Sequence, residues 1–346
     1  MKVLLVTLLV GQLTLVAAAS QAGPAINFAW AYRAGDYARS QPAANGQLVY
    51  AGSDDNALHA VKANTGEQAW RYETADNVTS GPALLDDTLY FGSWDGSIYA
   101  LDAAQGKLRW RHATGGWVTA DPVVTSATVF AGSHDGYVYA LAPEDGHELW
   151  RYRTAGRIEG GGALAGDAFL IGSADGYLYA LDADRGNLRW RHRVDGPIVA
   201  APAVAQNSVF VGSLGRRLYA LDLANGNVRW SFDAGAAIAT RPDVAGDLVY
   251  FGADNGRVFA LRVSDGSVAW QYEAGATVRS SPAVHDSLVF VGSDDGFIYG
   301  LDRLTGSLVW RYRTAGAIAA APTVAGNRLY VASIDRRLHA FDLPAR

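Results

Sequence analysis

The chain has 346 residues, a formal charge of −5 and 18% charged residues with no basic stripe, which argues against a nucleic-acid footprint. It has no cysteine, so disulfides, thiolate catalysis and thiolate metal sites are excluded and no lipid anchor is expected. Length alone would suggest two domains, but a 40-residue repeat running through the chain overrides that expectation.

Residues 1–22 read as a secretory signal peptide. Lys2 is a short positive start, Val3 to about Ala17 is apolar, and Ala17-Ala18-Ala19 offers a small-x-small cleavage site, with Ser20-Gln21-Ala22 as a second candidate. No other apolar run reaches membrane length. The folding unit is therefore expected to be one domain, 23–346.

The first strand-like segment after it, Ile26 to Arg33, carries Trp30. From there tryptophan returns every 40 residues: Trp70, Trp110, Trp150, Trp190, Trp230, Trp270 and Trp310. A glycine stands four residues before each of these seven, from Gly66 and Gly106 to Gly306, where it can supply the positive φ of a hairpin turn. Six residues further back stands a small residue, Ala60, Ala100 and so on to Gly300, leaving room for an indole to lie over backbone.

Each unit reads as four strands. Between Trp110 and Trp150 they are Val118–Val124, Ala127–Ser133, Tyr137–Leu141 and Glu148 to about Arg153. The second and third are apolar runs rather than alternations, which suits sheets covered on both faces. Asp135-Gly136 and Asp145-Gly146 mark the turns. A proline recurs in the first strand (Pro42, Pro82, Pro122, Pro202, Pro242, Pro282 and Pro322, with Gly162 in the fourth unit), which implies a free edge. Two residues before it the position is always small, from Ser40 and Ser80 to Ala320, as crowding at a central axis would require.

Ala-x-Asp-x-x-x-Gly-x-x-x-Trp resembles the tryptophan-docking motif of quinoprotein-type (PQQ-repeat) β-propellers. The full form stands at Ala100/Asp102/Gly106/Trp110, Ala180/Asp182/Gly186/Trp190 and Ala220/Asp222/Gly226/Trp230. Lys62, Ala142 and Arg262 depart at the Asp position and Gly300 at the Ala position. The resemblance implies an all-β, eight-bladed propeller of four-stranded antiparallel blades with Trp30, Trp70, Trp110, Trp150, Trp190, Trp230, Trp270 and Trp310 as docking residues. The ends fix the closure. The last unit stops after Asp342 without its tryptophan, so the strand of Trp30 is expected to complete the eighth blade and remove the exposed edges. A ring closed in this way is expected to be a monomer.

Strand direction puts the connector into each first strand and the turn between strands two and three on one face. That face varies from blade to blade, and variable loops on a rigid scaffold are where binding tends to sit. Trp94 and Trp117 there are the two tryptophans outside the ladder. His134 occupies the turn of blade three, Arg157 and Glu159 open blade four, and Asp121 lies in the inner strand of blade three. Exposed aromatics with arginine have the composition of interaction hot spots. The competing reading is that the two tryptophans pack on each other and cover the blade junction. The inner strands add Arg39, Arg241, Asp243 and Arg279, which could grip a ligand, pair with one another or hydrate the channel.

Other motifs fail. His59 and His339 occupy a column otherwise filled by Tyr99, Tyr139, Tyr179, Tyr219 and Tyr299, so they read as aromatic replacements, and no metal site is expected. No nucleophile elbow or phosphate loop is present, and no catalytic residue can be assigned.

Two function classes follow from the resemblance. Quinoprotein dehydrogenases share the repeat and bind pyrroloquinoline quinone with calcium over the channel, but they carry inter-blade insertions and a vicinal disulfide that this chain lacks. The outer-membrane assembly factors of the BamB type are closer in length and repeat. The reading is therefore a soluble, exported periplasmic scaffold without cofactor or enzymatic activity, binding a protein partner in the periplasm or at the outer membrane. The alternative is a quinone- or other ligand-binding oxidoreductase.

Overall fold

The computed structural model describes residues 25–344, so the expected signal peptide lies outside the described residues. Within them, 32 strands form eight four-stranded antiparallel sheets and there is no helix. Seven sheets each use four consecutive strands and form blades one to seven in chain order. Blade eight combines Thr323–Ala325, Arg328–Ser333 and Arg337–Asp342 with the N-terminal strand Asn27–Arg33. That strand pairs antiparallel with Arg337–Asp342, Trp30 opposite Ala340 and Arg33 opposite Arg337. The expected closure of an eight-bladed propeller is thus the one observed.

Blade three shows where the strand reading holds and where it does not. The third and fourth strands are Tyr137–Leu141 and Glu148–Arg153, as the sequence predicts. The second is shorter than expected, Val129–Gly132, and the first is reduced to Val123–Val124. Pro122 has no N–H to give to a ladder. The Val118 N–H bonds instead to the Ser93 carbonyl of blade two at 3.0 Å, so residues before the proline are tied sideways to a neighbour. The proline therefore precedes the inner strand rather than sitting within it. The small column beside it has a second job. Ser40, Ser80 and Thr240 accept the N–H groups of Gly52, Gly92 and Gly252 at 2.6, 3.1 and 3.1 Å, replacing ladder bonds the proline segment does not make. In blade four this position is Gly160, where a Cβ would stand 2.6 Å from the Ala200 carbonyl carbon.

The core lies between blades. One layer packs Tyr50, Leu58 and Ala60 of blade one against Leu89, Phe91 and Tyr99 of blade two, and the arrangement recurs around the ring. The indoles lock these layers. Trp110 Nε1 donates to the Pro143 carbonyl in the next blade at 2.7 Å, and the equivalent bond recurs from Trp30 to Trp270. The glycine of the repeat receives the indole of the previous blade. Gly106 has φ +68°, and a Cβ there would stand 2.6 Å from the Trp70 ring. Gly and Trp of one unit therefore face different neighbours, which the hairpin reading did not anticipate.

Trp310 breaks the series because the strand after blade eight's last turn belongs to the other end of the chain. It packs edge-on against Phe341 at 5.2 Å, beside Phe28 and Tyr312, which stack at 5.9 Å. The motif Asp also has a visible role. Asp102 Oδ1 accepts the N–H groups of Ala104 and Gln105 in the turn. Where Lys62, Ala142 and Arg262 stand instead, Thr65, Asp145 and Asp265 accept a turn N–H in its place. His59 and His339 behave as the replacements they were expected to be. Each bonds the turn aspartate four residues back, at 3.0 Å to Asp55 and Asp335, as Tyr139 does to Asp135 at 2.7 Å.

Candidate interaction site at the channel mouth

The connector into each inner strand and the turn between strands two and three meet on one face. The His134 N–H donates to the Trp117 carbonyl at 2.8 Å, and Trp94 N–H to the Asn77 carbonyl at 2.9 Å. On this face two positions fifteen residues apart are brought together in every blade, and their chemistry changes around the ring. In blade one they are Arg39 and Asp54, an ion pair at 3.0 Å. In blade two Trp94 Nε1 donates to Thr79 Oγ1 at 2.7 Å. In blade three His134 Nε2 meets Thr119 Oγ1 at 2.9 Å. In blade seven Arg279 pairs with Asp294 at 3.1 Å. Blades five and eight carry Val199 with Leu214 and Ala319 with Ile334 at these positions.

Trp94 and Trp117 stack, with centroids 4.6 Å apart and planes 13° from parallel. Their packing on each other is therefore real, yet it leaves Trp117 47% exposed. Burial of one indole face and display of the other are compatible, so the two readings of this pair do not exclude each other. His134 extends the cluster, 5.5 Å from the Trp117 ring. The Thr119 hydroxyl donates its one hydrogen to the Glu159 carbonyl at 3.1 Å, so it accepts from His134 Nε2–H. Burial lowers the His134 pKa below its ordinary value, against the opposing pull of Glu159, which keeps the ring neutral at pH 7. The Glu159 side chain is held by Arg157 at 2.5 Å. The cluster thus runs from Trp94 in blade two through Trp117, His134 and Thr119 to Glu159 and Arg157 in blade four.

The inner-strand charges are not part of it. Arg39 and Arg279 pair with the turn aspartates of their own blades rather than with one another. Asp121 accepts the Gly81 N–H at 2.5 Å, and burial raises its pKa against this bond and the charge of Arg241. The Arg241 backbone N–H donates to Ser281 Oγ at 2.9 Å, and Asp243 Oδ2 accepts the Val284 N–H at 2.8 Å. These groups staple neighbouring inner strands. A cavity of about 200 Å³ opens between them, with Arg39, Thr119, Asp121, Glu159 and Arg279 in its wall. A larger one of about 470 Å³ lies on the opposite face at the seam of blades eight and one, where Arg328 is taken up by Asp342 and the Ala63 carbonyl.

Sequence reasoning missed Thr79 and Thr119, which hold Trp94 and His134 in place. The signal was present: they share the column of Arg39 and Arg279, fifteen residues before the turn residue that each one holds.

The family model described as "Outer membrane protein assembly factor BamB" matches residues 14–133, 54–159, 134–282 and 273–344, overlapping as a repeat would. No curated protein sequence matches the chain. Among solved structures, BamB from Moraxella catarrhalis is similar with a TM-score of 0.81 and 23% identity, over 92% of this chain and 100% of that one. The computationally designed Ika8 protein has a TM-score of 0.82 and 17% identity, over 91% and 99%. Quinohemoprotein alcohol dehydrogenase from Comamonas testosteroni has a TM-score of 0.79 and 17% identity, over 93% and 77%. At these identities the structures show a shared fold.

Proposed function

The chain belongs to the family of the outer membrane protein assembly factor BamB, and from that membership we propose that it acts as a non-enzymatic scaffold in outer-membrane protein assembly. Its place of work is the periplasm, and a protein partner docks on the channel-mouth face. The observation that carries this reading is Trp117, stacked on Trp94 at 4.6 Å yet 47% exposed on the face that varies. A large apolar side chain held rigid and half uncovered loses little entropy on binding and gains area.

A quinone with calcium is supported less. Arg39 and Arg279, the cations at the channel mouth best placed for an acidic cofactor, already pair with Asp54 and Asp294. Among the described residues no group of three or more His, Asp or Glu side chains is arranged to hold a metal ion.

The test is photocrosslinking in periplasm from position 117, beside a Trp117→Ala variant. A discrete crosslinked partner, lost when the probe is moved to the opposite face at Asn225, supports the scaffold. Saturable quenching of tryptophan fluorescence by pyrroloquinoline quinone with calcium, with no crosslinked partner, would sink it.

A further inference from the structure

The outer strands carry different charge on neighbouring blades. At two equivalent exposed positions blade three has Arg151 and Arg153, and blade four has Arg191 and Arg193. Blade five has Ser231 and Asp233 there, and blade six Gln271 and Glu273. The residue facing these positions changes with them. In blades three and four it is an aromatic ring. Arg151 and Arg153 lie over Tyr137 at 5.0 and 5.5 Å, and Arg191 and Arg193 over Tyr177 at 4.9 and 6.0 Å. In blades five and six it is an arginine. Arg217 donates to Ser231, and Arg257 stands opposite Glu273. Charge balances on one arc and accumulates on the other.

Three of these four arginines are free of carboxylates. Among the described residues Arg153, Arg191 and Arg193 make no ion pair, and Arg151 has only Glu148 at 3.6 Å. The neighbouring turn carboxylates are already engaged. Asp135 accepts the Tyr139 hydroxyl and the N–H groups of Gly115 and Tyr137, and Asp175 accepts those of Tyr179, Ala155 and Tyr177. The contrast within one strand is sharp. Arg189, two residues before Arg191, is clamped by Asp167 and Asp182 at 2.7 and 2.8 Å. A guanidinium laid on a ring is held in place while its edge N–H donors stay available for two oxygens of a phosphate.

Apolar groups flank these cations. Leu149 and Leu188 on the same two strands are 46% and 42% exposed. Basic side chains interleaved with exposed leucine suit a bilayer surface, where phosphates meet the cations and the apolar groups enter the interface. We propose that the outer shoulder of blades three and four docks on the anionic phospholipid headgroups of a bilayer. The distribution favours a surface over a peptide. A peptide strand following one outer strand would meet one arginine pair, whereas a sheet of headgroups meets both. The formal charge of −5 on the whole chain makes such a surface repel the rest of the protein, so the patch also sets the orientation.

The experiment is co-flotation of the full protein with phosphatidylcholine vesicles, with and without about a third phosphatidylglycerol. Binding is expected only to the anionic vesicles, and it should vanish as salt rises from about 0.1 to 1 M, where the screening length shrinks from about 10 to 3 Å. Each basic side chain near an anionic surface is worth about a factor of five in partitioning. Arg151→Gln, Arg153→Gln, Arg191→Gln and Arg193→Gln together should therefore cut it more than about 100-fold. The same change at Arg311 and Arg313, which lie over Phe297 on blade seven at 5.1 and 5.5 Å, should leave binding intact. The substituted residues are exposed, and an unchanged melting midpoint checks that the fold survives. No anionic binding, equal binding to neutral vesicles, or equal loss in the blade-seven variant overturns the proposal. Salt-sensitive binding to a glutamate-rich peptide without vesicle binding would also overturn it and assign the patch to an acidic protein segment.

Discussion

The docking ladder and the channel mouth are built on the same repeat and behave in opposite ways. In the ladder each indole from Trp30 to Trp270 meets a carbonyl of the next blade and a glycine at positive φ. At the mouth the paired positions hold an ion pair in blade one, an indole on a hydroxyl in blade two, and an imidazole on a hydroxyl in blade three. The ladder is uniform because a buried indole leaves one solution for its donor and its volume. The mouth is open to water, so packing sets few limits there. Uniformity in this molecule marks where stability is decided, and variety marks where recognition can be.

The strongest way to break that contrast is at the seam, where the ladder depends on two chain ends meeting. Deleting residues 25–33 removes the strand paired with Arg337–Asp342, and Trp30 with it. The melting midpoint should fall by at least ~10 °C, and a melt with an unchanged midpoint would refute closure as a source of stability. Next is Trp110→Ala within the ladder. It empties an inter-blade layer and leaves the Pro143 carbonyl with only the longer bond from the Tyr90 hydroxyl at 3.4 Å, at a cost of about 3–5 kcal/mol by denaturant titration. Gly106→Ala probes the other side of the same contact. It puts a Cβ at φ +68° and 2.6 Å from the Trp70 ring, so it should cost more than the about 1–3 kcal/mol of backbone strain, which is all that the same change should cost at the open turn glycine Gly166.

The smallest effect belongs to the mouth. The folded state depresses the His134 pKa, so the unfolded chain takes up that proton first as pH falls. The contribution is complete above about pH 6.5 and is lost as pH drops below it. His134→Gln should flatten that part of the stability profile, read from melts over the acid range, and leave the midpoint at pH 7 nearly unchanged. A steep neutral-pH loss would show that the mouth carries stability after all.

Much of the fold was legible because period, turn glycines and buried tryptophans are local marks of a repeated solution. With the motif's resemblance to PQQ-repeat propellers, the eight blades and the closing strand at Trp30 followed from the repeat and its ends, and the roles of His59 and His339 from their column. The inner strands were overread. The apolar stretch around Pro122 looks like a strand, and only the bond from Val118 to Ser93 in the preceding blade shows why it is not one. At the mouth, composition singled out Trp94, Trp117 and His134, but the threonines that hold them are ordinary residues made informative by a neighbour fifteen positions away.

The sequence by itself determined the repeat and, through its resemblance to propeller motifs, the number of blades and the way the ring closes, because these depend on how many units there are and where the first and last ones stop. Only the tertiary structure decided which groups are left over. It joins the ladder indoles from Trp30 to Trp270 to the next blade's glycine and keeps Trp117 half uncovered. It also engages Arg189 with carboxylates while leaving Arg191 and Arg193 on a tyrosine ring. The physical reason is that a free charge or an open aromatic face depends on neighbours brought together by folding, and those neighbours lie on strands and blades that the linear order keeps apart.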